Sequence, residues 1–98
     1  MSTVTTLDAV RSRRAEILAA ARQRRASRVR VFGSVARDEA EPGSDVDFLV
    51  DFDDDASLLD QVGLVQDLRE LLGIGVDVVS SGGLRSRHDS IRDEAVDL

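Results

Sequence analysis

The sequence predicts one small α/β (α+β) domain, in which a sheet of about three short strands is flanked by helices. Three observations predict it. The chain has 98 residues, enough for one small core. Short segments with a two-residue apolar period alternate along it with segments of helical period. Apolar residues make up 42%, with a single Pro and no low-complexity stretch or internal repeat, so the 33% of charged residues does not signal disorder.

The elements follow in order. Thr5 is a plausible helix cap with Asp8 three residues on, and Leu7, Val10, Ile17, Leu18 and Ala21 recur at helical spacing to about Arg25. The arginines between them read as a solvated face, or else as a surface that steers nucleotide or docks a partner. Arg28 to Phe32 is a short strand with Val29 and Val31 alternating against arginines. Gly33-Ser34 breaks it, and Val35 to Glu39 suits a short helix. Pro42-Gly43-Ser44 is a turn signal. Asp45 to Phe52 alternates cleanly, with Val46, Phe48, Val50 and Phe52 on one face and Asp45, Asp47, Leu49 and Asp51 on the other. Asp53-Asp54-Asp55 ends that strand in a solvated loop.

Ser57 then caps a helix with Asp60 at its third position. Leu58, Val62, Val65, Leu68 and Leu72 form its core stripe, and Gly73 is its C-terminal cap. Gly75 to Val79 is a short strand, and Ser80 to Gly83 a loop. Leu84, His88, Ile91, Ala95 and Leu98 predict an amphipathic last helix. His88 reads there as a core or interface histidine, since a lone His has no triad partner. Gly73-Ile74-Gly75 lacks the third glycine and the helix of a dinucleotide fingerprint.

Composition excludes several chemistries. With no Cys and one His, disulfides, thiolate catalysis and His-rich zinc sites are out. All thirteen basic residues are Arg, which excludes a phosphate loop built on Lys. No apolar run approaches a membrane span of roughly 20 residues, and the N-terminus lacks an apolar signal core. A cytoplasmic protein without membrane contact is the expectation. The net charge of −6 is uneven: residues 31–98 carry seventeen acids against five Arg, so no global nucleic-acid footprint exists and no direct nucleic-acid contact is expected. Acidic character suits cations or a basic partner.

The chemistry concentrates in three acids. Asp45 and Asp47 share a strand face, where paired carboxylates repel, and aspartate is a poor strand former. A hard divalent cation such as magnesium offsets that cost, and two such ions clamp the oxygens of a phosphoryl or nucleotidyl transfer. Asp77 lies between Val76 and Val78, where a buried, unpaired acid would be costly. If its strand neighbours the first, the three acids converge. Gly33 lets backbone approach a ligand, Ser34 offers a hydroxyl at a helix start suited to phosphate, and Arg37 one turn on can fork onto phosphate oxygens. Ser44 completes the candidate nucleotide-binding set, Gly33, Ser34, Arg37 and Ser44.

Each piece is weak alone; the order is informative. Ten residues separate Ser34 from Asp45, Asp47 follows on the same strand, and Asp77 lies on the next. The arrangement resembles the polymerase-β-like nucleotidyltransferase superfamily. The stretch Val31 to Val50, V-F-G-S-V-A-R-D-E-A-E-P-G-S-D-V-D-F-L-V, is similar to its small branch, the minimal nucleotidyltransferases or MNT antitoxins. The closing I-R-D-E-A-V-D-L extends the likeness to nearly the whole chain. A Gly often follows the A-R pair in that family; here it is Asp38.

The resemblance implies that Asp45 and Asp47 bind two Mg2+ ions, with Asp77 completing one site and favouring deprotonation of the incoming hydroxyl. It implies that Gly33 and Ser34 hold the β- and γ-phosphates of ATP, and that pyrophosphate leaves. The implied acceptor is a tyrosine hydroxyl on a partner HEPN-domain ribonuclease toxin, silenced by added AMP. Two other functions compete. A non-catalytic antitoxin would mask the toxin by binding alone. A small-molecule nucleotidyltransferase would need an acceptor domain, and this chain ends shortly after the third acid.

Overall fold

The computed structural model describes residues 5–83 and 89–98. Its centre is the strand with the clearest alternation. β2 (Val46–Phe52) buries Val46, Phe48 and Val50 completely on one face. It pairs antiparallel with β1 (Ala26–Phe32), setting Val29 against Val50 and Val31 against Phe48. On its other side it pairs parallel with β3 (Val76–Ser80), setting Val46 against Val76 and Asp47 against Asp77. A fourth strand, β4 (Val96–Asp97), lies antiparallel to β1, giving the order β3-β2-β1-β4. Among the described residues the sheet therefore has four strands where the sequence predicts about three.

Helices cover the apolar face. α1 (Leu7–Arg11) supplies Val10, α2 (Arg14–Gln23) supplies Ile17 and Ala21, the four-residue α3 (Gly33–Ala36) supplies Val35, and α4 (Leu58–Leu72) supplies Leu64 and Leu68. Leu49 is equally buried but on the opposite face, outside that core. Its neighbours there are Arg30 and Asp51, joined at 2.8 Å, and the 3-10 turn Ser81–Gly83, whose Ser81 hydroxyl donates to Asp51.

The predicted first helix is two. Its cap is Thr6, not Thr5, with Thr6 Oγ1 accepting from the Ala9 N–H at 3.1 Å. At Ser12 the hydroxyl bonds the Ala9 carbonyl at 2.6 Å, and the chain turns before α2 begins; such local bonds offer backbone an alternative to continued helix. Arg24 at the far end of α2 forks onto Asp67 of α4 at 2.8 and 3.2 Å. Gly63 gives that guanidinium its room, because a Cβ there would lie 2.5 Å from it.

α4 begins and ends as its sequence predicts. Ser57 and Asp60 form a reciprocal capping box, and Gly73 stops the helix at φ +67°. Its predicted stripe is wrong in the first turns, where Leu58 is 74% and Val62 47% exposed. The buried line runs through Gly63, Leu64 and Leu68 instead.

The C-terminus departs most. The predicted last helix is α5 (Asp89–Glu94) followed by β4, and Leu84 and His88 lie outside the described residues. Val96 and Leu98 alternate with Asp97 and pack against the core, so a two-residue period prevails over the helical one. Arg28 forks onto Asp97 at 2.9 and 3.0 Å, and Arg11 donates to the Asp97 carbonyl at 2.9 Å. Among the described residues no helix is long and apolar enough to cross a membrane.

Candidate active site

The site lies where β1 ends, β2 begins and β3 begins. The parallel register sets Asp47 directly beside Asp77, about 4.8 Å apart at the backbone as strand spacing requires. Asp45 precedes β2, two residues from Asp47, and the Val46 N–H donates to the Gly75 carbonyl at 3.0 Å. The three acids thus meet at one end of two adjacent strands. Asp77 is exposed on the edge strand, so the cost expected for a buried acid there does not arise. Asp45 is exposed and Asp47 half-buried.

Two glycines frame the carboxylates. Gly33 has φ +74°, and a Cβ on it would collide with the Asp47 carboxylate. A Cβ on Gly75 would collide with the Asp45 carboxylate. Gly33 is among the expected residues; Gly75 is not, and its only sequence signal is that it opens the predicted strand carrying Asp77. Burial first, then Asp77 and Asp45, push the Asp47 carboxyl above the usual carboxylate range, against a smaller opposing pull from Arg37.

Arg37 follows α3 and forks between two acids. Its Nε reaches Glu39 at 3.1 Å and its Nη1 reaches Glu94 at 3.0 Å. Glu94 also accepts the Gly33 N–H at 3.2 Å. Sequence reasoning missed Glu94, whose contact spans most of the chain. α3 has only four residues, so any attraction for anions comes from individual N–H groups and Arg37 rather than a summed dipole. Ser34 is half-buried in its first turn. Ser44 closes the turn from Glu41, accepting the Glu41 N–H at 3.0 Å and donating its own amide to the Glu41 carbonyl at 2.9 Å.

Two other acids near β2, Asp51 and Asp55, have structural partners. Asp51 holds Arg30, and Asp55 holds Arg25 at 2.7 Å. Asp38 sits just after Arg37 at φ +57°, a left-handed position that favours glycine.

The donor set fits a hard cation: three carboxylates at one strand end, with two glycine cradles that leave them room. Among the described residues no three His, Cys, Asp or Glu side chains stand grouped so as to hold a metal ion as placed.

A family profile for the nucleotidyltransferase domain matches residues 14–98. A provisionally named protein adenylyltransferase of Methanocaldococcus jannaschii is 44% identical over 72 residues, covering 72% of this chain and 77% of the relative. The protein adenylyltransferase MntA of Thermococcus cleftensis is 50% identical over 56 residues, 57% of each chain, so the match spans little more than half of that relative. Among solved structures, one provisionally described as a minimal nucleotidyltransferase superposes with a TM-score of 0.85 at 44% identity, covering 96% of this chain and 97% of that one. A toxin–antitoxin structure with AMP-PNP shares the fold, with a TM-score of 0.72 at 20% identity over 85% of this chain and 69% of that one.

Proposed function

The chain belongs to the nucleotidyltransferase domain family, and on that premise we propose that it transfers AMP from ATP to a hydroxyl of a partner protein in the cytoplasm, acting as an antitoxin. The partner is a HEPN-domain ribonuclease toxin and the acceptor a tyrosine. The observation that carries this reading is the register of Asp47 with Asp77, beside Asp45 and next to the Gly33 turn. Two relatives whose names make them protein adenylyltransferases support a protein as acceptor.

Asp45, Asp47 and Asp77 would hold magnesium, which when bound neutralises phosphate charge and polarises the phosphorus under attack. The Gly33 N–H, the Ser34 hydroxyl and Arg37 bind the β- and γ-phosphates and orient the α-phosphate over the acids. Ser44 keeps its hydroxyl proton and donates it to the nucleotide. Asp77, exposed at the sheet edge, takes the proton of the incoming hydroxyl. The acceptor oxygen bonds to the α-phosphorus, the bond from that phosphorus to the bridging oxygen breaks, and pyrophosphate leaves with the electron pair. Asp45, Asp77 and Arg37 are all exposed, so the face open to solvent suits an acceptor carried on another chain.

A masking antitoxin is the second reading. Leu58 and Leu59, 74% and 80% exposed on α4, offer apolar surface to a partner irrespective of chemistry. Co-expression with the toxin separates the two: D45N/D47N should lose protection if transfer is required. Undiminished protection by that variant, together with no binding of ATP or magnesium by the purified chain, would sink the enzymatic reading.

A further inference from the structure

The donors that a phosphate oxygen would use at the Gly33 turn are engaged by an acid from the far end of the chain. Glu94, the last residue of α5, places Oε1 3.2 Å from the Gly33 amide nitrogen and 3.2 Å from Arg37 Nη1, with Oε2 3.0 Å from the same Nη1. Arg37 does not need it for neutralisation, since Glu39 lies 3.1 Å from its Nε. Glu94 also stands near enough to Asp47 to oppose its ionisation. An acid among acids is costly unless it finds donors, and the Gly33 N–H and Arg37 supply them. Its side chain is 32% exposed, so it can turn outward without opening the core.

We propose that Glu94 is an internal anion that occupies the triphosphate cradle in the nucleotide-free chain, and that a triphosphate binds by replacing its carboxylate on the Gly33 N–H and Arg37. The inference rests on the nucleotidyltransferase reading, which puts the β- and γ-phosphates at those donors. The single hydrogen of the Gly33 amide cannot serve Glu94 and a phosphate oxygen at full strength together. Apparent affinity for triphosphate is then lowered by the fraction of time Glu94 holds the cradle. A ligand without β- and γ-phosphates does not compete with it.

Isothermal titration of the full chain with inorganic tripolyphosphate, ATP and AMP, each with magnesium, tests this. Glu94→Gln removes the charge; Glu94→Asp keeps it but is too short to reach Gly33. Both should bind tripolyphosphate and ATP about tenfold more tightly than the unmodified chain, with AMP unchanged. Unchanged or weaker tripolyphosphate binding by the variants, where the unmodified chain binds it, overturns the inference and leaves the nucleotide site standing. If no chain binds ATP or tripolyphosphate, the nucleotidyltransferase reading falls as well. The unmodified chain gives an answer even if a variant fails to fold: tripolyphosphate should shift the Gly33 amide and Glu94 carboxyl resonances together, and a Gly33 shift with Glu94 unmoved contradicts displacement.

Discussion

Asp47 is more buried than its two companions. It is half-buried, touches Gly33, and faces Asp77 across the strand pair. Its carboxyl is pushed upward, first by burial and then by Asp77 and Asp45. The folded chain therefore binds that proton more tightly than the unfolded one. Ionised Asp47 costs stability near neutral pH, and the cost vanishes below the ordinary Asp value of about 3.9. Asp47→Asn should melt higher than the unmodified chain at neutral pH without metal, with the gap closing as pH falls; melting curves across that range check it, and a lower melting point at neutral pH refutes it. Asp38 offers a second test. Asp38→Gly relieves the left-handed strain at φ +57° and should stabilise by up to about 1 kcal/mol in a denaturant titration. The residues legible from sequence were those with a local pattern: the Asp45–Asp47 spacing and the Gly33-Ser34 break. Glu94 and Gly75 were not, because their roles arise from contacts made only when the strands align.

Elements with strong end signals were read well. Ser57, Asp60 and Gly73 bound α4 as expected, and the alternation of β2 set both its faces. Ser57→Ala should lower stability by about 1 kcal/mol, the usual value of an N-cap; an unchanged denaturation midpoint would show the box to be idle. Elements decided by tertiary partners were read poorly. Ile91, Ala95 and Leu98 have helical spacing, yet the edge of β1 has unpaired backbone groups, and Val96–Asp97 satisfies part of it. Arg28 forks onto Asp97 of that strand. The α4 stripe also differs: Gly63, Leu64 and Leu68 face the core, with Arg24 lying over Gly63, while Leu58 and Val62 stay exposed.

At the scale of the whole molecule, charge and openness agree with each other. The radius of gyration of 12.8 Å matches that of a folded domain of about 100 residues, and Asp45 and Asp77 are exposed on it while Asp47 is half-buried. The central claim, transfer of AMP to a partner protein, is tested most directly by intact-mass spectrometry of the proposed HEPN partner after incubation with this chain, ATP and magnesium. Asp45→Asn/Asp47→Asn protein is the control. The account predicts a mass gain of one or more AMP units with the unmodified chain and none with the control. A stable complex whose partner gains no mass would contradict it, and would leave masking as the way this chain acts.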